Sequence, residues 1–290
     1  MPKDKFTAVW ISHTSISDYL HCPRSYYLKN IYKDPSTGHK IQITSPALAL
    51  GSAVHSVIES LSTIPTESRF DQSIVLKFDE LWDQYGGKKG GFADLEEEHK
   101  YKERGKSMLR KVMDHPGPLK NLSVKIKESL PYYWLSEEEN IILCGKLDWL
   151  EYLPDSDSVH IIDFKTSKKE EAGDSLQLPI YHLLVHNCQK RPVSKASYWY
   201  LEFSDTLQEK ELPDIRDAHT KILEVGRKVK LARKLEKFDC LQGADGCLWC
   251  RPLEEVLRGK GELVGEVNHR DTYILSKPLP AEIETDSEII

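Results

Sequence analysis

The sequence predicts an α/β protein in which a mixed central sheet is flanked by helices, with a helical N-terminal insertion and a cysteine-rich C-terminal segment. Three observations carry this prediction. The hydrophobic period changes from helical to strand-like near Leu122. Beyond that point the order is strands, helix, strand, helix, which is how a sheet covered by helices reads. No stretch approaches 18 uncharged apolar residues, so nothing reads as a membrane span.

The first element, "WISHTSISDYLHCPRSYYLKNIY", places Ile16, Leu20, Tyr27, Leu28 and Ile31 at roughly helical spacing behind a cap at Ser15 or Ser17, giving a helix interrupted near Pro23. The next, "SPALALGSAVHSVIESLS", is a helix whose Ala49, Gly51, Ser52 and Ala53 permit close packing, with His55 near its middle. Residues 70–115 are charged and helical in pattern, broken at 85–91 by "YGGKKGG", a flexible loop. Together they form a helical subdomain over about 56–118.

From Leu122, "LSVKIKESLPYYWL", "NIILCGKLDWLEYL" and "SVHIIDFKTSK" read as a three-stranded meander joined by "SEEEN" and "PDSDS". "DSLQLPIYHLLVHNC" is a helix capped by Asp174 or Ser175, with Pro179 tolerable only near its first turn. "KASYWYLEF" is a further strand, and "DAHTKILEVGRKVKLARKLEKF" a long helix. The sheet core spans about 122–204 and the C-terminal helix with its cysteines about 214–258, in one domain over 1–275, and the acidic tail at 276–290 is expected to be disordered.

With 39% hydrophobic residues in 290, the chain can build a sizeable core. Its start, "MPKDKFTAVW", lacks an apolar run with a cleavage site, so a cytoplasmic location is expected, with no membrane partner. A net charge of −6 argues against coating nucleic acid through bulk electrostatics, but leaves room for a local basic patch. "GRKVKLARKLEK" offers Arg227, Lys228, Lys230, Arg233, Lys234 and Lys237 on the exposed sides of one helix, either as a solvated face or as a DNA-backbone contact.

The chemistry begins at "IIDFKT". In a strand, residues i and i+2 share a face, so Asp163 and Lys165 converge about 7 Å apart along the chain. Taken alone they make an ion pair at a strand end. The preceding strand contains "GKLDW", which lets Asp148 lie beside Asp163 on the adjacent antiparallel strand. Two neighbouring carboxylates repel unless a cation neutralises them, and a hard divalent ion such as Mg²⁺ prefers such oxygen donors. Lys165 beside them can hold and polarise a water for attack on a phosphodiester. Gln177 and Tyr181, four apart on one helix face, either contact a phosphate or the attacking water or simply begin a half-buried helix. His55, if not a core histidine, adds an imidazole that tilts selectivity toward Mn²⁺.

These residues resemble the PD-(D/E)XK nuclease superfamily in its RecB-like branch: "GSAVH" ending in His55, "GKLD" ending in Asp148, "DFK" at 163–165 and "QLPIY" at 177–181 occur in the family's order. The resemblance implies a restriction-endonuclease-like fold. It further implies that His55, Asp148, Asp163 and the carbonyl of Phe164 bind Mg²⁺ or Mn²⁺, that Lys165 is catalytic, and that Gln177 and Tyr181 assist at the phosphate. The expected activity is hydrolysis of DNA with accessible ends or single strands, as a RecB-like exonuclease of repair and recombination. The alternatives are an end-trimming nuclease of CRISPR adaptation and a non-catalytic iron–sulfur DNA-binding module. The chain carries no P-loop, so a helicase, like CRISPR adaptation proteins, would be a partner.

Six cysteines without a secretory signal read as metal ligands or buried thiols rather than disulfides. Cys144 and Cys188 sit in apolar patterns as small hydrophobes. Cys240, Cys247 and Cys250 form C-x₆-C-x₂-C, too dense and loop-like for core thiols, and need a fourth ligand. The resembling branch joins one N-terminal cysteine to three C-terminal ones around a [4Fe–4S] cluster, which makes Cys22 in "CPRSYYL" the fourth. The branch's common C-x₂-C-x₅-C spacing is reversed here. Four thiolates also suit Zn²⁺.

Overall fold

A computed structural model describes residues 4–275, so the expectation for the 276–290 tail lies outside the described residues. The chain opens with strand β1 (Val9–Ile11), helix α1 (His13–His21) and helix α2 (Pro23–Asn30). Helix α1 is capped by Ser12, whose hydroxyl accepts from Ser15 N–H while the Ser15 hydroxyl accepts from Ser12 N–H. This reciprocal pair displaces the expected caps Ser15 and Ser17, because both lie inside the helix it starts. The predicted interruption is real: Cys22 is extended and Pro23 begins α2.

Strand β2 (Lys40–Ile43) leads to α3 (Pro46–Ser60), capped by Ser45, then α4 (Ile74–Trp82) and α5 (Leu95–Asp114). Their buried faces meet as Leu50, Val54, Val57, Ile58, Phe78, Trp82, Met108, Leu109 and Val112. A methyl at Gly105 of α5 would come within 2.4 Å of the Phe78 ring, so α4 and α5 approach at a distance that only glycine permits. The expected flexible loop at 85–91 is instead a short 3₁₀ turn over Gly87–Gly90. Glu98 holds it, accepting from Gly87 N–H at 2.9 Å and from Trp82 Nε1 at 2.9 Å.

The expected meander divides. Strands β3 (Tyr132–Ser136) and β4 (Ile141–Cys144) pair antiparallel and β1 joins β4 in parallel, whereas β5 (Trp149–Leu153) and β6 (Ser158–Lys165) pair antiparallel in a separate four-stranded sheet. The second predicted run breaks over 145–148, which carry no strand pairing, and the stretch before β3 contributes only one bridge, Ser123 to Glu151. Helix α6 (Gln177–Cys188) then crosses over to β7 (Val193–Tyr200), parallel to β6, and β8 (Gln208–Lys210) closes the sheet in the order β5-β6-β7-β8. A parallel pair requires a crossover connection, which here is a helix.

Helix α7 (Ile215–Leu235) and helix α8 (Arg251–Leu257) precede the hairpin β9 (Gly261–Val267) and β10 (Arg270–Leu275), which pairs with β2 in a third sheet. Sequence reading missed that sheet, β1 and β8. Asn268 and His269, both at positive φ, make the hairpin's two-residue turn, and an Asn between two alternating runs is the signal that could have found it.

Strand β6 is buried on both faces. Val159 and Ile161 pack with α6 and α7 residues such as Ile180, Leu184, Ile222 and Val229, while Ile162 and Phe164 pack with α3 to α5. The end of β6 is therefore enclosed by helices on both sides.

Candidate active site

Alternation along β6 turns Asp163 and Lys165 toward α6 and sends Phe164 the other way, with its ring centroid 6.4 Å from that of His55 and 5.8 Å from that of Trp199. Lys165 is buried. Its Nζ donates to Gln177 Oε1 at 2.7 Å and lies 3.2 Å from Asp163 Oδ2 and 3.3 Å from Glu171 Oε2. A buried ammonium is tolerated only when paired and hydrogen-bonded, and two carboxylates and an amide meet that need here. The Lys165 ammonium also stands 5.2 Å from the centre of the Tyr198 ring, whose phenol burial pushes well above its ordinary pKa.

Gln177 is fully buried at the start of α6. Its Nε2 donates to Asp163 Oδ1 at 3.1 Å and to the Tyr181 hydroxyl at 3.2 Å, so one amide links Lys165, Asp163 and Tyr181. Neither expected cap closes this helix. Leu176 occupies the cap position without a side-chain bond, and Ser175 Oγ accepts from Gln177 N–H at 3.3 Å, one residue early.

Asp148 lies one residue before β5, and the register Trp149 to Ile162, continued by one pair, sets it opposite Asp163. Its Oδ2 accepts from Phe164 N–H at 2.9 Å, which anchors the carboxylate to the main chain of β6. Its Oδ1 stands 3.2 Å from His55 Nδ1 on α3. Two adjacent ligands of an ion with bonds near 2.1 Å would stand about 3 Å apart. Hard oxygens with one imidazole, at this separation, fit Mg²⁺ or Mn²⁺.

Sequence reading missed three neighbours. Glu59, one helical turn after His55, completes a set in which one donor atom each from His55, Glu59 and Asp148 lies within 4.8 Å of the others. The i, i+4 spacing on α3 is the signal that could have found it. Glu171 comes from an irregular loop and Tyr198 from the neighbouring strand, and no local pattern points to either.

Cys22, Cys240, Cys247 and Cys250 converge with all four sulfurs within 4.8 Å of one another, and Cys247 and Cys250 Sγ are 3.8 Å apart. Burial pushes the Cys22 thiol up to about 11. Burial acts the same way on Cys247, but main-chain N–H groups of Cys250 and Trp249, together with hydrogen bonds to Cys22 and Cys240, outweigh it and hold that thiol below its ordinary value. Four free cysteines from opposite ends of the chain, in one apolar nest with Leu28, Ile41 and Leu253, fit a metal centre. Cys144 and Cys188 stand apart as thiols donating to Ile11 O and Tyr132 O.

On α7, Arg227 pairs with Glu139, Lys228 with Glu224, and Lys230 donates to Glu139 O. Arg233, Lys234 and Lys237 are exposed. The expected basic face is thus partly neutralised within the protein.

A mixed sheet enclosed by helices, with an acid and a lysine two apart at the end of a strand, defines the class of metal-dependent nucleases. A family model for the PD-(D/E)XK nuclease superfamily matches residues 10–252, and the chain belongs to that superfamily, with its restriction-endonuclease-like fold. Membership brings divalent-metal hydrolysis of phosphodiesters, with DNA as substrate. No curated protein matches the chain. Among the described residues, no helix is long and apolar enough to cross a membrane.

Proposed function

We propose that the protein is a RecB-like exonuclease of DNA repair and recombination, acting in the cytoplasm on DNA with accessible ends or single strands. The observation that carries this reading is the buried Asp163–Lys165 pair at the end of β6, with Asp148, the neighbour of His55, anchored to the same strand by Phe164 N–H. In this reading His55, Asp148, Asp163 and the Phe164 carbonyl hold Mg²⁺ or Mn²⁺. When bound, the ion supplies positive charge against the phosphate oxygens as the bond breaks. Asp148 is kept in place by Phe164 N–H. Lys165, held between Asp163 and Gln177, presents its ammonium to the attacking water. Gln177 positions both residues, and the Tyr181 hydroxyl locks its amide.

Cys22, Cys240, Cys247 and Cys250 hold a [4Fe–4S] cluster that ties the first helices to the C-terminal segment. Closing a loop of roughly 220 residues in this way is worth several kcal/mol, comparable to a long-loop disulfide. One observation favours zinc as the second reading: sulfurs around one tetrahedral ion with 2.3 Å bonds stand about 3.8 Å apart, the separation of Cys247 and Cys250. The same cysteine arrangement supports a second biological reading, an end-trimming nuclease working with CRISPR adaptation proteins rather than with a helicase.

The test is cleavage of end-labelled linear and circular DNA, single- and double-stranded, with and without Mn²⁺. Degradation of linear substrates only, dependent on the ion, is expected. Cutting of circles would overturn the exonuclease assignment, and inertness on every substrate would favour a non-catalytic DNA-binding module.

A further inference from the structure

Glu59 stands where an ion would need it, yet it is paired to a lysine. Its carboxylate forms an ion pair with Lys146, and one of its oxygens lies within 4.8 Å of the donor atoms of His55 and Asp148. Lys146 lies in the 145–148 break, two residues before Asp148, and is about half exposed. Both line a cavity of about 480 Å³ that also reaches Asp148, Ser56, Ser60 and Lys125. The lining therefore mixes the carboxylates of Glu59 and Asp148 with the ammonium groups of Lys146 and Lys125 and the hydroxyls of Ser56 and Ser60.

Two carboxylates this close need a cation, and Lys146 supplies it for Glu59. A divalent ion satisfies both carboxylates at once and leaves the ammonium without its acid. The nearest chemistry that then suits Lys146 is a phosphate oxygen of a strand lying in the same cavity, with Lys125 and the serine hydroxyls beside it. We propose that Glu59 is a further ligand of the catalytic ion and that Lys146 exchanges Glu59 for a DNA phosphate as the ion binds, so that ion and strand load cooperatively. The proposal rests on the reading of His55 and Asp148 as ion ligands. Coupling of this kind is reciprocal: each partner raises the affinity of the other by the same factor.

The test uses the full chain with its cysteine centre intact, Mn²⁺ binding followed by electron paramagnetic resonance, and a short phosphorothioate single strand as the nucleic-acid probe. Glu59→Gln should weaken Mn²⁺ binding about tenfold or more. Lys146→Met should tighten Mn²⁺ binding several-fold without DNA, since the competing cation is gone, and should weaken binding of the strand. Lys146→Arg should keep both near the wild type. In the wild type the strand should raise Mn²⁺ affinity, and in Lys146→Met this gain should shrink. A purely structural ion pair predicts the opposite for Lys146→Met: Mn²⁺ binding unchanged or weaker, which overturns the exchange. Unchanged ion binding in Glu59→Gln, with loss in Asp148→Asn, removes Glu59 from the ligand set but leaves the nuclease site standing. Unchanged binding in Asp148→Asn brings down the site and the exchange together.

Discussion

Lys165 Nζ donates to Gln177 Oε1 at 2.7 Å, inside the protein, across the gap between strand β6 and helix α6. Through Gln177 Nε2 the same amide reaches Asp163 Oδ1 at 3.1 Å, so a neutral side chain sets the geometry of the acid–lysine pair. Changing Gln177 should therefore disturb chemistry more than substrate affinity. Gln177→Ala is expected to lower kcat about 10²-fold, the usual effect of misplacing a catalytic group by an ångström, with a smaller change in KM. Equal loss in both constants would point to a substrate contact instead.

Removing either member of the pair should be more severe. Asp163→Ala and Lys165→Ala are each expected to abolish cleavage of end-labelled DNA in Mn²⁺ while preserving the far-UV circular dichroism spectrum. Lys165→Ala should also lower Tm, because Asp163 and Glu171 then share a buried site without their cation, a loss on the order of 3–5 kcal/mol for a broken buried pair. Wild-type turnover by either variant would sink the proposed site.

The cysteine centre is readable by colour. Anaerobically purified protein should be brown with about four irons per chain, and Cys22→Ser should lose both colour and thermal stability. Cys144→Ser and Cys188→Ser should stay brown, since their thiols lie apart from the four. Colourless wild-type protein containing one zinc would replace the cofactor and leave the nuclease assignment intact.

Salt dependence tests the basic helix. Arg233→Glu with Lys234→Glu should flatten the log–log dependence of DNA affinity on salt by about one unit per lost phosphate contact. Arg227→Glu should act more through stability, because Arg227 already pairs with Glu139. An unchanged slope in the Arg233/Lys234 double variant would reduce this face to a solvated surface.

A pH effect is expected at the third sheet. The hydrogen bond from His39 Nδ1 to Asp271, at 2.9 Å, holds this histidine above its ordinary pKa; burial opposes the shift, and Glu266 adds to it. A histidine raised on folding contributes stability that is full below its unfolded value near ~6.5 and is lost as pH rises through the folded value. The Tm gap between wild type and His39→Gln should be widest in mildly acidic buffer and close as the pH rises. A gap that is flat or that widens with pH would contradict the pair.

The sequence by itself determined the helix–strand grammar and the residues with chemistry in them. The strand ending in Asp163 and Lys165, the helix around His55 and the Gln177–Tyr181 spacing were all legible, because burial imposes a period of two or 3.6 on any element with an inner face. The cap of the first helix was misplaced, at Ser15 or Ser17 instead of Ser12, because a cap lies outside the stretch whose period is read. Tertiary structure alone decided which elements meet. It broke the run around Asp148 and divided the expected meander between two sheets, brought Glu59 to His55 and Asp148, carried Glu171 and Tyr198 to Lys165, and paired β2 with the C-terminal hairpin. The physical reason is that periodicity reports which face of an element is buried, not what covers it, and an irregular loop such as the one bearing Glu171 has no period to read.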